Sequence, residues 1–165
     1  MKGVRTEYFL LPSAHFEAVP FEANEFDIPE DGVSIHDPAV SLTRFTAPSD
    51  GVYLLWGALV FEKQAGGYIR NVCLIKNGDV VTGVLACNAL TSPNNCFSYE
   101  GCSVPIQGFT FLKASEYVEF WAYQDTGQPV EIRSGPVGAG SYGMMIYVSG
   151  MYSQAPRKVP VAAQP

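Results

Sequence analysis

The stretch Gly51-Val-Tyr-Leu-Leu-Trp-Gly-Ala-Leu-Val-Phe61 decides the fold, because it holds no charged or amide side chain over eleven residues. Successive side chains of a strand point to opposite sides of the sheet, so Val52, Leu54, Trp56, Ala58 and Val60 face one way and Tyr53, Leu55, Leu59 and Phe61 the other. One face of an antiparallel sandwich meets the core and the other normally meets water. A second apolar face therefore calls for another layer, which in a chain this short a further copy of the same chain supplies. The stretch predicts an oligomeric β-protein.

The rest of the composition agrees. The 165 residues are enough for one domain that buries roughly 70% of its unfolded surface. They include 16 Gly, 12 Pro, 9 Tyr and 10 Phe but only 16% charged residues, and no segment repeats helix formers at a spacing of 3.6, so helices should be minor. A formal charge of −6 with no basic stripe argues against a nucleic-acid partner, whose phosphates are held by clustered Lys and Arg. The apolar run Tyr8 to Leu11, stopped by Pro12, is too short for a secretory signal or a membrane span, which predicts synthesis in a cytoplasm and no membrane insertion.

Along the chain, Glu17 to Pro38 is acidic and rich in turn residues, as expected for loop or edge strand. Strand candidates follow at Leu42 to Thr46, Val52 to Phe61, Tyr68 to Ile75, Val80 to Ala86, Phe97 to Leu112, Tyr117 to Tyr123, Val130 to Arg133 and Gly143 to Tyr152. Asn77-Gly78 predicts a two-residue hairpin joining Val72–Lys76 to Val80–Leu85, since a type I′ turn needs positive φ at both positions. Short strands at this spacing, without an internal repeat, read as a sandwich or jelly roll. The tail from Ser153, with three prolines and no period, should be extended.

Chemistry-bearing residues are sparse. Only His15 and His36 are present, neither in an H-x-H cluster, and no G-x-S-x-G elbow or phosphate-cradling Gly loop before a helix occurs, so no catalytic residue, metal or cofactor is assigned. His36 beside Asp37 reads as a turn pair, and Gly135 to Gly143 as a loop. Cys73, Cys87, Cys96 and Cys102 lack zinc-site spacing. Free thiols are the expectation, with a loop-closing disulfide from Cys87 to Cys96 or Cys102 as the alternative in an oxidising setting.

Four motifs in order, FTAPSDGVY (Phe45 to Tyr53), LIKNGD (Leu74 to Asp79), LKASEYVEFWAY (Leu112 to Tyr123) and YVSGMY (Tyr147 to Tyr152), resemble the globular heads of complement C1q and their tumour necrosis factor-like relatives. Ser115-Glu116 stands where that family usually has Gly-Asp, and no collagen-like repeat precedes the domain. The resemblance implies an all-β, antiparallel β-sandwich jelly roll that is trimeric. Residues 1–13 would be an N-terminal arm, 14–152 the jelly-roll domain and 153–165 a Pro/Ala-rich tail. Tyr53, Leu55, Trp56, Leu59, Phe61, Trp121, Tyr123, Tyr147, Gly150 and Tyr152 then become the candidates for core and trimer interface. Loops carrying Asn88, Asn94, Asn95, Tyr99, Asp125 and Gln128 become the candidate ligand sites.

Two functions suit such a chain. One is a non-enzymatic structural protein on a virion surface, a bacteriophage capsid decoration protein or fibre head, assembled in the host cytoplasm with capsid or fibre proteins as partners. The other is a multivalent recognition module, virion-borne or extracellular, binding a glycan or cell-surface receptor through three identical loop surfaces.

Overall fold

The computed structural model describes residues 2–7, 9–26, 34–63, 66–91, 101–135 and 140–148. They form twelve strands: β1 (Lys2–Val4), β2 (Phe9–Leu11), β3 (Phe16–Ala18), β4 (Ala23–Phe26), β5 (Arg44–Thr46), β6 (Gly51–Phe61), β7 (Ile69–Lys76), β8 (Val84–Thr91), β9 (Cys102–Leu112), β10 (Tyr117–Gln124), β11 (Val130–Ile132) and β12 (Tyr142–Tyr147). No helix occurs among them. The expected antiparallel sandwich is what they build: a seven-stranded sheet in the order β2-β11-β6-β12-β1-β4, with β9 also on β6, and a five-stranded sheet in the order β3-β10-β7-β8, with β5 also on β10.

The decisive stretch is the spine of the first sheet. β6 pairs with β9 along its whole length, Gly51 opposite Leu112 and Phe61 opposite Cys102, and with β12 from Tyr53 to Ala58. Tyr53, Leu55, Leu59 and Phe61 point inward and are completely buried, as alternation requires. Across from them, Val118, Phe120 and Ala122 of β10 and Val72 and Leu74 of β7 supply the second half of the core.

What brings the two sheets together is a row of glycines. Gly3 of β1 lies opposite Gly143 of β12, which lies opposite Gly57 of β6, so three adjacent strands present bare backbone to the interior at one level. Into that furrow drop Phe21, Phe45 and Phe120, whose rings meet edge to face at centroid distances of 5.5–5.6 Å. A Cβ on Gly57 would stand 2.6 Å from the Phe120 ring and 2.5 Å from the carbonyl of Tyr142, and one on Gly143 2.7 Å from the same ring. His36, expected as a turn residue, is instead wholly buried beside this cluster. Its ring stacks on Phe45 at 4.8 Å and its Nδ1 meets Asn24 Oδ1 at 2.7 Å.

Three further expectations are corrected. Residues 1–13 were expected as an arm, but β1 sits between β12 and β4, and β2 pairs with β11. Short strands of three residues carry too little alternation to read from sequence. At Asn77-Gly78 both φ angles are positive, 54° and 69°, as the turn demands, yet β8 starts at Val84 rather than Val80, with Ile75 opposite Val84. The cause is Asp79, whose carboxylate takes the amides of Val81 and Thr82 and the Thr82 hydroxyl and so folds residues 79–83 into a second turn. The third correction concerns the cysteines. Cys73 and Cys87 face each other across β7 and β8 and form a disulfide, and Cys102 is disulfide-bonded as well. Cross-linking residues 14 apart stabilises by about 3 kcal/mol through loop closure.

The far end of the sandwich is tied by charge. Glu116, in the β9–β10 turn, receives Lys76 Nζ at 2.7 Å, the Lys113 amide at 2.8 Å and the Asn77 side-chain amide at 3.4 Å. Lys76 above all, then the Lys113 amide, holds its carboxyl below the ordinary value of 4.5. A carboxyl depressed on folding stabilises the native state above its unfolded pKa, and that contribution is lost as pH falls through the folded value. Two outcomes follow from this architecture. Gly143→Ala should lose about 1–3 kcal/mol in urea unfolding, and Phe120→Leu should cancel part of that loss, a coupling of at least ~0.5 kcal/mol in a double-mutant cycle. Glu116→Gln should lower the thermal midpoint by about 1–3 °C at pH 7, and the difference from the parent should shrink as pH falls through the folded value of the carboxyl.

Candidate functional site

The outward side of the first sheet carries what the sequence singled out as its second apolar face. Register places Phe109 of β9, Leu54 of β6 and Ile146 of β12 in one row across the strands, flanked by the rows Phe111–Val52 and Gln107–Trp56–Met144. Phe109 is 65% exposed, Phe111 52%, Trp56 45% and Ile146 41%. None of these positions is charged, and Lys2 of β1, opposite Met144, is turned onto the Tyr142 ring and Glu25. Single exposed apolar side chains are ordinary, but a contiguous set over three paired strands marks an interaction surface.

Strand pairing holds the backbone of this face in register. β6, β9 and β12 are hydrogen-bonded along the whole patch, and Trp56 is braced edge-on against Tyr142 with ring centroids 5.9 Å apart. At the margin, a groove of about 370 Å³ runs between Trp56 and the β8–β9 seam, where Asn88 Nδ2 donates to the Pro105 carbonyl at 2.6 Å.

The predicted interface and core residues separate onto different surfaces. Tyr53, Leu55, Leu59 and Phe61 belong to the core of the chain itself, and Tyr147 packs on Tyr53 with centroids 5.3 Å apart. Among the described members of the predicted set, Trp56 alone faces outward on the apolar sheet. Trp121 and Tyr123 stand half-buried on the outside of the opposite sheet, Trp121 against Phe16. Gly150 and Tyr152 lie outside the described residues. Phe109, Phe111 and Ile146, which complete the patch, were not singled out from sequence, although the alternation of QGFTF (Gln107 to Phe111) against polar neighbours carries the signal.

The predicted ligand positions are likewise divided. Asn88 is a strand residue of β8, not part of a loop. Asp125 is occupied: its Oδ1 accepts the amides of Tyr68 and Ile69 and lies 3.9 Å from the buried Arg70, whose guanidinium is shifted down by burial against the pull of Asp125. Gln128 is exposed in the same loop cluster, and its carbonyl accepts from Gln124. Asn94, Asn95, Tyr99 and Cys96 lie outside the described residues. Among the described residues no three His, Cys, Asp or Glu side chains come close enough to hold a metal ion. His15 is exposed and 3.7 Å from Glu17, and His36 is part of the core.

The sequence matches no family model and no curated protein. Solved structures do match. Murine APRIL superposes with a TM-score of 0.62 at 10% identity, covering 89% of this chain and 96% of that one. The globular domain of zebrafish complement 1qA superposes with a TM-score of 0.53 at 13% identity, covering 89% of this chain and 94% of that one. At such identity it is the fold that is shared. The motif order, the two-sheet topology and these superpositions agree that the chain has the C1q/TNF-like jelly-roll fold.

Proposed function

We propose that this chain is a non-enzymatic recognition module that works as a homotrimer, three copies joined through the outward face of β6, β9 and β12. The observation that carries the reading is the uncharged row Phe109–Leu54–Ile146 with Trp56 and Phe111 beside it, left open to water in the single chain. Burying each such side chain is worth about 1.5–3 kcal/mol, enough for a few of them to drive association. Three copies fit the likeness to APRIL and the C1q globular domain in fold. A closed ring also covers this face on every protomer, whereas a heterologous contact that failed to close would leave it open and grow into fibres.

In such an assembly the opposite sheet and the loops at the two ends point outward in three identical settings. Weak contacts of each copy with a repeated ligand then combine, since after the first contact the others act at high effective concentration. The ligand we propose is a glycan or receptor on a cell surface, and the setting a virion surface or another extracellular one. Disulfides at Cys73–Cys87 and at Cys102 favour such an oxidising destination. A capsid-decoration role would use terminal arms that reach neighbouring subunits, and at the N-terminus β1 and β2 are instead paired within the sheet.

Native mass in solution tests the reading. At low micromolar concentration the parent chain should have three times the monomer mass of 17.9 kDa. Leu54→Asp or Phe109→Asp should give a folded monomer, because an unpaired charge in a closed interface costs several kcal/mol while the same residue in the free chain meets water. Tyr53→Asp, by contrast, should unfold the chain, since Tyr53 is completely buried within it. A monomeric parent, or a trimer indifferent to Leu54→Asp and Phe109→Asp, would remove the proposal.

A further inference from the structure

On the opposite sheet, away from the apolar face, Arg44 of β5 is held out over the outer surface in a fixed pose. Its guanidinium carbon sits 4.2 Å from the centre of the Tyr117 ring, and its Nε edge faces Glu119 Oε1 at 3.7 Å. Glu119 itself is 6% exposed and already satisfied, with Thr43 donating to Oε1 at 2.6 Å and Trp121 Nε1 to Oε2 at 3.2 Å. It therefore orients Arg44 without consuming its donors. Among the described residues no hydrogen bond engages the Arg44 side chain beyond this ion pair, and half of it is exposed. A guanidinium aligned in this way offers its terminal fork to a planar anion.

Arg44 lines a cavity of about 600 Å³, within the size range of small-ligand sites. Its walls differ in chemistry. Ile35 and the 82%-exposed Val40 give an apolar side, Thr46 a hydroxyl, and Asp37 a carboxylate whose Oδ1 takes the Ala39 amide at 2.9 Å. A ligand that suits all of them has one planar negative group for Arg44, hydroxyls to donate to Asp37 and Thr46, and a non-polar C–H face for Val40 and Ile35. Asp37 and the net charge of −6 disfavour a more highly charged phosphate or sulfate.

We propose that this cavity is a binding site for the carboxylate of a sugar acid, a uronic acid unit of a glycan, with Arg44 as the carboxylate receptor. The assignment rests on the recognition reading and gives it a ligand class. The site lies on the sheet opposite the trimerising face, so three copies would present three such cavities outward.

Saturation-transfer NMR and calorimetry on the full chain, with glucuronic and galacturonic acid as probes and glucose and inorganic phosphate as controls, test it. At least one uronic acid should bind saturably while glucose and phosphate do not. Arg44→Gln should weaken binding roughly 10–100-fold, with native mass and thermal midpoint unchanged. Arg44→Lys, which keeps the charge but loses the fork, should weaken it too and serves if Arg44→Gln does not fold. No saturable binding of either uronic acid, equal binding of phosphate, or undiminished binding by the Arg44 variants overturns the site. Native mass measured on the same samples separates the two ideas: a trimer without binding removes the site alone, and a monomer that binds through Arg44 removes the trimer alone.

Discussion

The furrow formed by Gly3, Gly143 and Gly57 fixes how near the two sheets approach, and most of the molecule is arranged around that distance. Packed sheets stand about 10 Å apart when both present side chains. Here the first sheet presents backbone at its centre, so Phe120 from the second reaches down to it, and Phe21 and Phe45 close over the same hollow. The aromatic rings need the glycines, and the glycines would leave a void without the rings. His36 and Asn24 join the loop before β5 to this cluster, which places Arg44 and Asp37 on one rim of the outer cavity.

The two sides of the sandwich have different characters, and both trace to strand alternation. On β6 every second residue goes to the core, which leaves Val52, Leu54 and Trp56 to face away from it. On β10 the same rule buries Val118, Phe120 and Ala122 and turns Tyr117, Glu119, Trp121 and Tyr123 outward. The first outward set is uncharged, and the second mixes rings with ionised and hydrogen-bonding groups. One surface is suited to burying itself against protein, the other to polar contacts with a ligand in water.

Sequence made the long elements legible and the short ones not. GVYLLWGALVF announced both of its faces, and the C1q/TNF-like motif order gave the architecture. β1 and β2 escaped because three residues show no periodicity and their partners β12 and β11 lie more than a hundred positions away, whereas the Glu17 to Pro38 stretch, read as loop or edge strand, holds the short edge strand β4 and most of β3. Asn77-Gly78 announced its turn but not the register after it, which depended on Asp79 capturing two amides. The Cys73–Cys87 bond could not be read from spacing, because only the shifted register sets the two residues opposite each other. The cavity at Arg44 was hidden for a related reason: its walls come from separate loops and from β5 and β10.

The position of β1 has its own consequence for how the chain reaches this state. Lys2–Val4 is an interior strand, paired on one flank with Phe26 to Ala23 and on the other with Met144 to Tyr142. During synthesis, therefore, β1 has to wait for a strand made some 140 residues later before its second flank is filled. Until then it offers an unpaired edge to any other strand in reach. Non-local closure of this kind is slow, and the growing chain is most exposed to chaperones, and to mispairing with its own siblings, in the interval before β12 has left the ribosome.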